Sequence, residues 1–128
     1  MTTALWCVLI AAFLPYVAAV ISKAGAKGFD NNQPRDWLAK QQGFRARADA
    51  AHKNSFEAFA FFAVAVIVAH MLRGPQAQVD LLAIVFIAAR VVYLGFYLAG
   101  WGALRSLIWA VGMAATVWIF ITASFPRL

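Results

Sequence analysis

Four apolar runs divide the chain. The first extends from about Thr3 to Ile21 and the second is centred on Phe56 to Leu72. The third runs from about Val79 to Ala99, and the fourth from about Leu104 to Phe125. Each approaches the ~20 residues that a helix needs to cross the hydrocarbon of a bilayer. None alternates in polarity as the strands of a membrane barrel do. The pattern predicts an all-α integral membrane protein with residues 1–128 as a single domain of four transmembrane helices. Pro15, inside the first run, marks a position where that helix can bend. The joints around Arg73-Gly74-Pro75-Gln76 and Gly100-Trp101-Gly102-Ala103 are short, which favours an up-down bundle of antiparallel neighbours. Ala88, Ala89, Gly95, Gly112, Ala114 and Ala115 permit close helix packing in lipid.

Composition agrees with lipid as the solvent. Hydrophobic residues make up 64% of the chain and charged residues 12%, about half the charged fraction of a soluble domain. A water-soluble core of this size could not hide so much apolar surface. The net charge of +6 does not point to nucleic acid, because most aromatic residues lie inside the apolar runs rather than among the basic ones. It reads instead as a topology signal. The polar stretch from Lys23 to Asp49 holds six basic and three acidic residues, and Arg105 follows the last joint. Both are therefore expected in the cytoplasm, with both termini outside. The opening Met-Thr-Thr-Ala-Leu-Trp lacks the positive residues of a signal peptide, so the first run is expected to be a retained helix. The single cysteine, Cys7, reads as a small apolar filler.

Polar residues inside the spans carry the candidate chemistry. The second helix opens with Arg47-Ala-Asp-Ala-Ala-His52-Lys53-Asn54-Ser55-Phe56-Glu57 before turning wholly apolar. Helical geometry places Arg47, Ala50, Asn54 and Glu57 on one face. The third helix carries Arg90, Tyr93 and Tyr97 on one stripe. At ~1.5 Å of rise per residue, Glu57 lies roughly 12 Å and Arg90 roughly 13 Å inside the cytoplasmic edge. An unpaired charge at such depth costs roughly 3 kcal/mol or more, so Glu57 and Arg90 are expected to pair, within one chain or across a subunit boundary. Such a pair marks a functional site or serves only as a helix fastener. By the same count Asn54 comes near Tyr93, and Tyr97 lies closer to the surface. No metal site is expected: His52 and His70, eighteen residues apart on one helix, are ~27 Å from each other.

The string Arg47-x4-His52-x-Asn54-x2-Glu57, then Arg90-x2-Tyr93-x3-Tyr97 and Arg105, resembles the family of membrane-associated proteins in eicosanoid and glutathione metabolism, above all its bacterial branch. The resemblance covers nearly the whole chain. It implies a homotrimer in a bacterial inner membrane, with glutathione as co-substrate bound between subunits near the cytoplasmic side. It places Asn54, Glu57, Arg90 and Tyr97 in the glutathione site and Arg105 beside the thiolate as the catalytic residue. Lys23, Arg47, His52 and Tyr93 are the further candidates for that site. Many eukaryotic members carry an Arg four residues before the Asn, where this chain has Ala50.

The resemblance implies a glutathione-dependent transferase or peroxidase whose second substrate is a lipophilic electrophile drawn from the bilayer. A guanidinium beside the sulfur favours thiolate over thiol. Two alternatives stand beside it. One is a non-catalytic binding protein on the same scaffold. The other is a small four-helix multidrug transporter, which would need a membrane carboxylate free to titrate.

Overall fold

The computed structural model describes residues 1–125, so the last three residues of the expected domain lie outside it. Five helices follow in order: α1 (Thr3–Lys23), α2 (Pro34–Ala39), α3 (Phe44–Met71), α4 (Gln76–Ala99) and α5 (Gly102–Thr122). Four of them, α1, α3, α4 and α5, are long and apolar enough to cross a membrane. They correspond to the four apolar runs. α3 begins twelve residues before its apolar run because the polar stretch from Arg45 to Glu57 is helical too. The short α2 carries no signal of apolar periodicity; Pro34 at its first turn presets the helical φ, and Trp37 packs edge-on against Phe29, ring centroids 5.0 Å apart.

α1 lies along α3 and α4 along α5, the two most extensive contacts. α3 and α4 also meet across the middle, so α1 and α5 take opposite sides of the bundle. The core is made of small side chains around one aromatic pair. Phe62 stacks on Phe86 with centroids 3.9 Å apart, among Ala65, Val66, Ala69, Val79, Ala83, Ala115 and Ile119. Alanine at so many buried positions lets backbones approach closely, the packing available to helices that gain nothing from hydrophobic exclusion in lipid. The outer surface is apolar as well: Phe13, Val20, Leu81 and Leu107 are each more than 60% exposed. Helices apolar on every side suit a lipid environment, and the chain is an integral membrane protein.

Polar bonds pin both ends of the bundle. At one end the backbone N–H of Ala4 donates to Asp80 Oδ1 at 2.7 Å, and Gln76 Nε2 donates to the same oxygen at 2.8 Å. The carboxylate thereby satisfies a free first-turn N–H of α1 and faces the positive end of its dipole. His70 Nδ1 bonds the Val66 carbonyl at 2.8 Å. Nδ1 must then carry the proton, which leaves Nε2 to accept from the Thr2 hydroxyl at 2.8 Å. Thr122 donates to Gln78 at 2.9 Å, which ties α5 in. At the other end Arg45 donates to the Ser22 carbonyl at 3.2 Å. Arg47 donates through Nε and Nη2 to the Leu98 carbonyl at 3.2 and 3.0 Å. Chain ends meet in the pattern α1 start with α3 end, α1 end with α3 start, as an up-down bundle requires.

Asp80→Ala removes the acceptor shared by α1 and Gln76. It is expected to lower stability by about 2 kcal/mol, the scale of charge-assisted hydrogen bonds. Exposed Leu81→Ala is expected to stay within about 0.5 kcal/mol. Unfolding of the detergent-solubilised variants by sodium dodecyl sulfate, followed by circular dichroism, measures both.

Candidate functional site

Arg90 is 5% exposed, the most deeply buried cation among the described residues. It leaves α4 toward α3, where its Nη2 donates to Asn54 Oδ1 at 2.9 Å and to Ser55 Oγ at 3.2 Å. Its guanidinium carbon lies 4.0 Å from the Tyr93 ring centroid. One turn on, Tyr97 meets Tyr93 edge-on at 5.5 Å. Arg105, from the first turn of α5, places its guanidinium 4.4 Å from the Tyr97 centroid. Cation, ring, ring and cation thus follow one another along the wall from the buried interior toward the basic end. Cation–π contact of this kind contributes roughly 0.5–2 kcal/mol each, more when desolvated.

Local sequence makes this stripe. Arg90, Tyr93 and Tyr97 recur at three and four residues and share one face of α4. Gly100 then ends the helix with φ +78°, a conformation that costs glycine little. The N–H of Trp101 returns to the Phe96 carbonyl at 3.0 Å. α5 starts at once, and Arg105 falls back onto Tyr97. Further along α5, Gly112 passes over the Arg90 stem. A Cβ there would already touch Ala89, Phe86 and Arg90 Cδ at 3.7–3.9 Å.

Two adjacent hollows open on this wall. The one nearer the basic end, about 280 Å³, is lined by Asn54, Tyr93, Tyr97, Arg105, Ser106 and Trp109. The deeper one, about 150 Å³, shares Asn54 and Trp109 and adds Glu57, Arg90 and apolar residues of α3 and α5 such as Phe61 and Met113. Together they form a groove with charges on one wall and apolar side chains on its floor.

The expected Glu57–Arg90 ion pair is not formed within the chain. Both residues line the deeper hollow, as their matching depth requires. The guanidinium, however, is taken by Asn54 and Ser55, while Glu57 stays exposed with no ion pair or hydrogen bond among the described residues. Asn54 and Ser55 straddle Arg90 because they stand about 100° apart on α3. Glu57, one turn deeper, projects past the guanidinium into the open groove.

The remaining candidates lie elsewhere. Arg47 occupies the C-terminal carbonyls of α4, as described above. Lys23 and His52 line a separate cavity between α1, α2 and α3. His52 Nδ1 donates to the Pro15 carbonyl at 2.7 Å, and Lys23 sits over the Phe29 ring at 5.1 Å. Ser55, Ser106 and Trp109 belong to the groove without having been singled out. Ser55 and Ser106 neighbour predicted residues, and Trp109 stands one turn after Arg105, but serine and tryptophan in apolar helices carry no signal of their own.

The groove can therefore hold an elongated anionic molecule against Arg90 and Arg105, with Glu57 available to an ammonium group and apolar space beneath. No curated protein and no solved structure matches the chain. The MAPEG family matches it over residues 3–125, nearly its whole length, and the protein belongs to that family.

Proposed function

We propose that the protein is a glutathione-dependent membrane enzyme, a transferase or peroxidase acting on lipophilic electrophiles. The observation that carries this reading is the pair of guanidinium groups, Arg90 and Arg105, on one wall of a single groove. Glutathione is an anionic tripeptide with one ammonium group, and cations with planar donor forks suit its carboxylates. In this assignment Arg90 and Asn54 bind the peptide, Glu57 takes the ammonium group, and the ligand lies along the wall that Tyr93 and Tyr97 line. Arg105 lies beside the sulfur and stabilises the thiolate, the thiol proton passing to water. The thiolate forms the new bond to the electrophile, and the electron pair of the broken bond departs with the leaving group. The bilayer delivers the second substrate to the apolar floor by partition. The protomers act as a homotrimer in a bacterial inner membrane, the basic end toward the cytoplasm.

Two observations favour a second reading, a binding protein without chemistry. Ala50 offers no cation where many relatives carry one, and Arg47 is engaged with the Leu98 carbonyl. The unpaired Glu57 also meets one requirement of a proton-coupled transporter, but the long basic loop between α1 and α3 fits such a protein poorly.

Glutathione added to the purified protein at neutral pH is expected to produce thiolate absorbance near the ultraviolet edge. A nearby guanidinium lowers a thiol pKa by roughly 1–3 units. Arg105→Ala should then cut the thiolate signal about tenfold or more while glutathione still binds. Binding by the wild type with no thiolate would support the binding protein; no binding, with drug-driven proton release, would support the transporter.

Arg90→Ala is expected to leave a folded protein whose glutathione affinity falls roughly tenfold to a hundredfold, as loss of charge-assisted bonds implies. Calorimetric titration beside a thermal melt checks this. Loss of folding alone would reduce Arg90 to a helix fastener.

A further inference from the structure

A cavity of about 460 Å³ lies apart from the Arg90 groove. It lies at the basic end between the last turn of α1, the short α2 and the first turns of α3. Lys23, Arg35, Asp49, His52 and Lys53 face it. Lys53 is neutralised by Asp49 at 2.8 Å. Lys23 and Arg35 have no ion pair among the described residues, so the cavity keeps two uncompensated cations. They belong to a wider field: seven basic and three acidic residues lie between Ser22 and Lys53, four of the six net positive charges of the chain.

A second observation lies directly below, on the same two helices. His52 meets Phe56 edge-on at 5.1 Å, and Phe56 meets Tyr16 edge-on at 5.5 Å. Tyr16, Phe56 and Val20 are all exposed. An aromatic and aliphatic track therefore descends from the cationic cavity into the apolar zone of α1 and α3. Cations at the headgroup level above an apolar track at the acyl level reproduce, in reverse, the layout of an anionic phospholipid.

We propose that this cavity is a binding site for an anionic phospholipid, its phosphate held by Lys23 and Arg35 and its acyl chain lying along Phe56, Tyr16 and Val20. A free phosphate would use the cations but leave the track bare, so the lipid is the ligand that employs both. Lys23 in this assignment serves the lipid rather than the thiol. The site is independent of the Arg90 groove, with which it shares no lining residue.

The test uses the full chain, delipidated in neutral detergent and titrated separately with phosphatidylglycerol, phosphatidylcholine and inorganic phosphate, with bound lipid read by native mass spectrometry. Phosphatidylglycerol is expected to bind roughly thirtyfold more tightly than phosphatidylcholine, the scale of two cations at a membrane surface. The double variant Lys23→Ala, Arg35→Ala should lose that preference and keep its helical circular dichroism. The charge-preserving Lys23→Arg, Arg35→Lys should retain it, and so guards against a folding defect. Equal binding of the two lipids by the wild type would overturn the proposal, as would an undiminished preference in the alanine variant. Inorganic phosphate competing as strongly as the anionic lipid would show a site for the free ion. A double alanine variant that loses glutathione while keeping its lipid preference would give these cations to the thiol site instead.

Discussion

A guanidinium buried among membrane helices must be solvated by the protein itself, and the arrangement around Arg90 answers that constraint. A group 5% exposed has little access to water, and hydrocarbon offers nothing to its N–H bonds. Asn54 and Ser55 therefore come from α3, Tyr93 supplies its ring from α4 itself, and Gly112 lets α5 close over the aliphatic stem. Three helices are fixed around one cation. Because all this polarity is turned inward, it also forms the wall of a groove between those three helices.

The rest of the bundle follows the same logic of pairing the buried polar side chains among the described residues. Its middle is held by alanines and the Phe62–Phe86 stack, which contribute contact but little orientation. Register comes from the ends. Asp80, His70, Gln78 and Thr122 join the helices at one end, and Arg45 and Arg47 join them at the other. A dispersion-packed interior pinned at both ends can carry a hollow between α3, α4 and α5 without collapsing into it, since the directional bonds and not the core set the helix spacing.

Charge is distributed in two separate sets. Arg90 and Arg105 stand over aromatic rings inside the groove; Lys23 and Arg35 stand over a cavity outside it. Arg47, which lies between them in sequence, belongs to neither, because the free Leu98 carbonyl at the end of α4 claims it. Glu57 is the converse case, a carboxylate at membrane depth that the chain leaves open toward the groove.

Hydrophobic length alone determined the four spans, their antiparallel order and the depth of the polar positions, because those depend on counts of residues and a fixed helical rise. With helical periodicity it set Asn54, Glu57, Arg90, Tyr93 and Tyr97 at neighbouring depths, while Arg105 joined them only through the family resemblance. Which of them touch was decided only in three dimensions. Asn54 and Ser55 reached Arg90 where Glu57 did not, since a turn of helix sets direction as well as depth. Arg47, Lys23 and His52 left the groove for carbonyls and for a cavity that exists only once α2 folds against α1 and α3. Asp80 found its partner in the backbone of Ala4, a bond between residues seventy-six apart. Spacing along a chain specifies the face and height of a side chain. Its partner is specified by the packing of the other helices, which no local pattern contains.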